Sequence, residues 1–322
     1  MSQISFRCIL AQSMKDFVAF KISQGYDYSD GAIALSYFDH FLCRASYDNQ
    51  IITAAILESY IASTRQLAKN TQYGRLAAVR VFARWLRSLV GDSAIIEEMP
   101  VKRPSLPRHY LYSYAEIAAL IQAARQLGRK SGNIRASCHA TLIGLLYVTG
   151  LRISEALSLN LNDIDLAKSH LTVRRGKLGK ARNIVMSSST TTALGHYLNF
   201  RLSFPSNGGN APVFINTRGD RLRYGVASEK FRELLRLCGI GSGAPKAPRL
   251  HDLRHTFACN CLRKWYEEGA DVNAKLPILA TAMGHTNINN TQIYLHVTAQ
   301  LLQLAAGRFR KTFTNNCTGA RL

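Results

Sequence analysis

Three of the chain's eight prolines, Pro100, Pro104 and Pro107, fall within eight residues, interleaved with Lys102, Arg103 and Arg108. Proline fixes φ, lacks an amide donor and pushes the residue before it out of the helical region, so this stretch can neither continue a helix nor lie inside a sheet. It reads as an extended, semi-rigid linker over residues 99–110. The 322-residue chain is thereby divided into a first part, residues 1–98, and a second, residues 111–322. Each is long enough for a hydrophobic core of its own.

The charge changes at the same place. Residues 1–98 carry 10 Lys/Arg against 9 Asp/Glu, whereas residues 99–322 carry 31 against 11, and the whole chain has a net charge of +21. An excess this one-sided calls for a polyanion, and nucleic acid is a better match than an anionic membrane because no basic amphipathic membrane helix occurs. General solubility is the bland alternative. Hydrophobic residues make up 47% of the chain and the mean hydropathy is −0.06, values that describe a globular protein. No apolar run approaches the roughly 20 residues that span a bilayer, and no signal segment is evident, so the expectation is a cytoplasmic protein without a membrane partner. The seven scattered cysteines form no Cys-x-x-Cys pair and suit free thiols in a reducing compartment.

Residues 1–98 read as helices. Ser29 and Asp30 can cap one run, Thr53 opens a second, and Asn70 precedes the longest, in which Leu76, Val79, Phe82, Ala83 and Leu86 make an apolar stripe. Arg80, Arg84 and Arg87 edge that stripe, and the pattern suits a solvated face as well as a DNA-facing one. Past the linker, Ser113 and Glu116 have capping-box spacing, and an apolar helix over residues 136–148 stops at Gly150. Alternating residues 171–173 and 183–186 flank a Gly/Lys turn and predict a β-hairpin. The expected fold is mainly α with a small antiparallel sheet.

Several polar residues stand out against that background. Arg152 follows Thr149-Gly150-Leu151 and precedes Ser154 and Glu155. A guanidinium fixed near a helix start can hold a phosphate through two parallel hydrogen bonds, or can simply pair with Glu155. Lys177 and Lys180 lie in Gly-Lys-Leu-Gly-Lys, which fails as a P-loop: Arg174 stands where a glycine is required, and Ala181 where Ser or Thr is required. His251 and His255 have the i, i+4 spacing of zinc proteases. However, Asp252 replaces the Glu that would serve as base, and Arg254 would set a positive charge beside the ion. An imidazole and a guanidinium at i, i+3 suit phosphate better. His285 follows Gly284, and Tyr294 comes nine residues later. A phenol with pKa near 10 is a poor nucleophile unless cations and a neighbouring imidazole ease its deprotonation.

In order and spacing, the set Arg152, Lys177, His251, Arg254, His285 and Tyr294 resembles the DNA strand-transfer site of the tyrosine recombinase (integrase) family. The resemblance is carried by Thr-Gly-Leu-Arg-Ile-Ser-Glu-Ala-Leu, by Gly-Lys-x-x-Lys-x-Arg, by His-Asp-Leu-Arg-His and by the stretch from Gly284 through Thr291-Gln-Ile-Tyr294. It implies that Tyr294 attacks a phosphodiester to give a 3′-phosphotyrosyl bond and a free 5′-hydroxyl. It further implies that Arg152, Arg254 and His285 stabilise the transition state, with Glu155 in support. His251 would accept a proton or donate to phosphate, Lys177 would protonate the leaving oxygen, and His255 would be structural. Bond energy is kept in the covalent intermediate, so no metal or other cofactor is implied.

The same resemblance gives residues 1–98 a DNA-clamping role, with Arg80, Arg84 and Arg87 as contacts. It makes Lys102, Arg103 and Arg108 of the linker, and Lys180 of the hairpin turn, further phosphate contacts. A C-terminal helix over about residues 298–309 would dock into a neighbouring subunit, giving a tetramer on double-stranded DNA that carries a specific recombination site. A type IB-like topoisomerase and a DNA-binding protein without catalysis are the alternative readings. Met283, where the family usually has Leu, and a long helical stretch over residues 262–277 depart from the commonest pattern.

Overall fold

The computed structural model describes residues 4–103, 109–127, 133–174, 181–205, 210–244, 246–284 and 291. The chain forms two compact units, Met1–Pro107 and Arg108–Leu322.

The first unit is helical: α1 (Ala11–Ser23), α2 (Ser29–Arg44), α3 (Ala54–Ser63) and α4 (Lys69–Val90). Its core joins Phe17 of α1, Leu35 and Phe38 of α2, Tyr60 of α3 and the Leu76, Val79, Phe82 and Leu86 stripe of α4, all almost fully buried. Burying side chains of this size stabilises the unit by roughly 1.5–3 kcal/mol each, which favours the helical spacing of that stripe over any competing register. Thr53 caps α3 by accepting the Ile56 amide proton at 3.4 Å. Two expectations shift. Ser29 does not cap α2; instead the Asp27 carboxylate accepts the Ser29 amide proton at 3.2 Å and its hydroxyl proton at 2.5 Å. Asn70 lies inside the first turn of α4, which begins at Lys69 with no side-chain cap.

The second unit starts at α5 (Tyr114–Arg125), where Ser113 and Glu116 form the expected capping box. Helix α6 (Ile134–Thr149) is capped by Asn133 and buries residues around most of its circumference, the mark of a helix central to its unit. It packs against α5, against α8 (Ser188–Arg201) and against α10 (Leu250–Glu267). Gly150 ends it in the left-handed conformation, φ 63°. A side chain there would be strained and would also meet the Phe257 ring at 2.3 Å. Helix α7 (Ile153–Ser158) follows at once.

Strands β1 (Ile164–Asp165), β2 (His170–Val173) and β3 (Arg182–Val185) form one antiparallel sheet in the order β1-β2-β3. Leu171 pairs with Ile184 and Val173 with Arg182. Sequence periodicity anticipates the β2–β3 hairpin; β1, at two residues, is too short to show alternation. Helices α9 (Tyr224–Leu237) and α11 (Val272–Met283) complete the described elements. The long α10 is separated from α11 by Gly269, at φ 77°, and by Asp271, which caps α11. No helix among the described residues is long and apolar enough to cross a membrane.

Candidate active site

The described part of the site is built around the C-terminal end of α11. Gly284 terminates that helix with φ 65°, leaving the carbonyls of its last residues without intrahelical donors. Guanidinium groups from three separate elements take them. Arg254 of α10 donates to the Met283 carbonyl at 2.6 Å and to the Gly150 carbonyl at 2.6 Å. Arg152, in the turn between α6 and α7, donates through Nη2 to the Gly284 carbonyl at 2.9 Å and more weakly through Nη1 to that of Met283 at 3.4 Å. Arg182 of β3 donates through Nε to the Ala282 carbonyl at 3.0 Å. Cations at a helix C-terminus also interact favourably with the helix dipole.

Glu155 ties two of the three together. Its carboxylate accepts from Arg152 Nη1 at 2.9 Å and from the Arg152 amide at 2.9 Å. On its other side it accepts a bidentate pair from Arg182, Nη1 at 3.0 Å and Nη2 at 2.8 Å. Burial to 4% exposure would by itself raise its pKa. The hydrogen bonds from Arg182 and Arg152, with the charge of Arg182, outweigh burial and hold the carboxyl below its ordinary value. Arg152 therefore both pairs with Glu155 and faces the α11 terminus. Its Nε–H and a second Nη2 proton take no partner among the described residues, and parallel donors of this kind suit a phosphate oxygen pair.

Arg254 is only 2% exposed, so its guanidinium is fixed before any ligand arrives. His251, one turn earlier on α10, still reaches solvent. Its pKa is pushed down to about 4, first by the protein crowded around the ring and then by positive Arg254. It is a neutral imidazole near pH 7, able to accept a proton.

His255 is buried beneath it, its ring 4.9 Å from that of His251 and stacked at 3.4 Å on that of His109. Burial, followed by the neighbouring His109, pushes the His255 pKa down to about 2. His109, which falls within the stretch 99–110 expected to be linker, is thus packed on α10, with Nδ1 3.4 Å from Asp252. His109, Asp252 and His255 lie close enough to share one ion, a different set from the His251 and His255 pair that the zinc-protease spacing suggested. The fit is poor. The two rings are stacked at 24° to each other, so an ion in the plane of one lies out of the plane of the other. Asp252 is also already committed to Arg249, whose amide reaches it at 2.8 Å and whose Nη2 reaches it at 3.1 Å.

Lys177, Lys180, His285, Tyr294, Arg108 and the helix expected over residues 298–309 lie outside the described residues. Thr291, three positions before Tyr294, is described and fully buried. Lys102 and Arg103 are exposed. Of the α4 arginines, Arg80 donates to the Glu97 carbonyl, Arg87 lies 3.8 Å from the Glu97 carboxylate, and Arg84 is exposed. Arg182 was visible in the sequence as the last member of Gly-Lys-x-x-Lys-x-Arg, but nothing local marked it as a partner of Glu155.

The model of the phage integrase family matches residues 113–300, which takes in every element that contributes to the site. The chain belongs to the phage integrase family. It is a tyrosine recombinase, and the α-rich unit with its three-stranded sheet is the fold expected of that family's catalytic domain. This recombinase is 32% identical over 309 residues to the integrase/recombinase-type protein y4rB of Sinorhizobium fredii, covering 93% of this chain and 96% of the relative. Tyrosine recombinase XerD of Bifidobacterium longum is 28% identical over 277 residues, covering 83% of this chain and 84% of its own. The structure of the XerH site-specific recombinase bound to palindromic difH substrate, a post-cleavage complex, shares the fold. Its TM-score is 0.64 at 21% identity, over 87% of this chain and 79% of that one.

Proposed function

We propose that this recombinase cuts and rejoins double-stranded DNA at a specific recombination site through a 3′-phosphotyrosyl intermediate on Tyr294. The observation that carries the reading is the convergence of Arg152 and Arg254 on the carbonyls of Met283 and Gly284, at the start of the segment that leads to His285 and Tyr294. A phosphodiester under attack gathers negative charge on its non-bridging oxygens. Donors already fixed by buried partners stabilise that charge without reorganising at the moment of reaction. His251, neutral at working pH, takes the phenol proton or donates to the phosphate. His285 adds a further donor, and Lys177 protonates the 5′ oxygen as it leaves. Glu155 keeps Arg152 oriented.

Residues 1–98 clamp the duplex, with Arg80, Arg84 and Arg87 on that side. Lys102, Arg103 and Arg108 of the segment over residues 99–110 lie along phosphates, as does Lys180. The C-terminal helix over about residues 298–309 docks into a neighbouring copy, so that strand exchange occurs in a tetramer on DNA. The work is done in the cytoplasm.

The test is covalent capture on a nicked duplex, which loses the short strand after cleavage and traps the adduct. The parent protein should accumulate a DNA–protein band that resists denaturation. Tyr294→Phe should form none while binding the same duplex nearly as well, because a single hydroxyl is removed from a largely electrostatic interface. An adduct of undiminished yield from Tyr294→Phe would show that another residue is the nucleophile.

A further inference from the structure

Arg182 has no part in the reaction as set out above, yet its guanidinium is engaged through all three nitrogens. Two nitrogens hold both oxygens of Glu155, and the third holds the Ala282 carbonyl. The side chain is 10% exposed and the carboxylate it grips is 4% exposed, so water cannot substitute for it readily. Glu155 in turn holds Arg152 from the opposite side. Arg182 also lies against Gly284: a Cβ added to that glycine would sit 2.7 Å from Nη1. The last turn of α11 and strand β3 are therefore closed on each other with this one side chain between them.

We propose that Arg182 is a positioning residue for phosphate activation: through Glu155 it fixes the plane of the Arg152 guanidinium, and through Ala282 it fixes the end of α11 that Arg152 and Arg254 also hold. A carboxylate held by a single guanidinium can swing with it. Held from two sides, Glu155 becomes a rigid stop, and the free edge of Arg152 is left with one orientation toward a phosphate. A lysine at position 182 could reach Glu155 or the Ala282 carbonyl, but one ammonium cannot reproduce a bidentate pair and a third bond together.

The inference rests on the reading of Arg152 as a phosphate-binding residue, and its test uses the full-length protein on nicked duplexes. In one duplex the scissile linkage is an ordinary phosphodiester. In the other it is a methylphosphonate, whose non-bridging oxygen charge is removed, so that less is asked of Arg152. On the phosphodiester, Arg182→Gln should slow single-turnover adduct formation by about 10- to 100-fold, the scale seen when an outer partner of a site is removed, with DNA affinity almost unchanged. On the methylphosphonate, the gap between parent and Arg182→Gln should shrink toward unity. Glu155→Gln should behave alike, and the double variant should be no slower than the slower single one.

Arg182→Lys should fall between parent and Arg182→Gln, and it carries the test if the glutamine variant does not fold. Equal slowing on both linkages would make Arg182 a structural residue only and overturn the proposal, as would a variant as fast as the parent. Failure of the recombinase reading itself is separate: it would appear as no tyrosine adduct from the parent protein on either duplex.

Discussion

Arginine serves two different ends in this molecule. At the end of α11, Arg152, Arg182 and Arg254 place their donors on a buried carboxylate and on carbonyls from elements distant in sequence. Along α4, Arg84 is open to solvent, while Arg87, with about half its side chain exposed, meets Glu97 only at 3.8 Å. The first group is fixed before DNA arrives, so its charge acts at one point with little reorganisation. The second is screened by salt and free to sample rotamers, so it contributes to a diffuse field. The residue type is the same; what the backbone offers around it decides whether its charge is held at one point or spread over a surface.

The comparison would break most visibly at Arg254. Arg254→Gln should lower single-turnover adduct formation by about 100- to 1000-fold, the range for losing a preorganised charge-stabilising donor. It should also lower stability, because the Gly150 and Met283 carbonyls lose buried partners. A rate within a few-fold of the parent on saturating DNA would mean that the fixed arginines are structural and that the contrast with α4 is one of packing alone.

A smaller effect separates two glycines that both have positive φ. Gly25, after α1, has φ 82° with nothing within 4 Å of an added Cβ, whereas Gly284 has φ 65° and faces Arg182 Nη1 at 2.7 Å. Gly25→Ala should cost about 1 kcal/mol, from backbone strain alone. Gly284→Ala should cost more than that and should also slow adduct formation, because Arg182 must move away from Glu155. Chemical denaturation of both variants measures the first claim, and trapping on nicked DNA the second. Equal stability losses with an unchanged rate would show that Arg182 yields without consequence.

The smallest change belongs to α4. Arg84→Ala should leave stability within about 0.5 kcal/mol and adduct formation on saturating DNA unaltered. If this face meets DNA, the log–log dependence of affinity on salt should flatten by about one. A slope identical to the parent's would assign Arg84 to a solvated surface.

These differences also explain how far the sequence could be read. Elements whose determinants are local were legible: the Ser113–Glu116 capping box, the Thr53 cap, the glycine stop at Gly150, and the alternation on either side of the hairpin. Helix α1 went unread; it buries only Met14 and Phe17 of its 13 residues, too thin a stripe to stand out. The cap expected at Ser29 or Asp30 does not form: α2 has Tyr28 at its N-cap position with no side-chain cap, and Asp27 accepts from Ser29 instead, a choice among competent polar residues that only the fold makes. Arg152, His251 and Arg254 were found as members of motifs, each recognisable from a few neighbouring residues. The partnership of Arg182 was not, since its carboxylate lies 27 residues upstream and its carbonyl 100 residues downstream. Contacts of that range are written in the topology and leave no trace in spacing.

The carbonyls at the end of α11 have one further consequence. Among the described residues, three guanidinium charges are gathered there around the carboxylate of Glu155, and peptide carbonyl dipoles meet part of their mutual repulsion. A dipole built into the backbone cannot diffuse away, be protonated or be displaced by dissolved ions. The positive potential at this point is therefore a fixed property of the polypeptide, as an electrode's is of its metal. Salt that loosens the grip of the protein on DNA would leave it almost untouched.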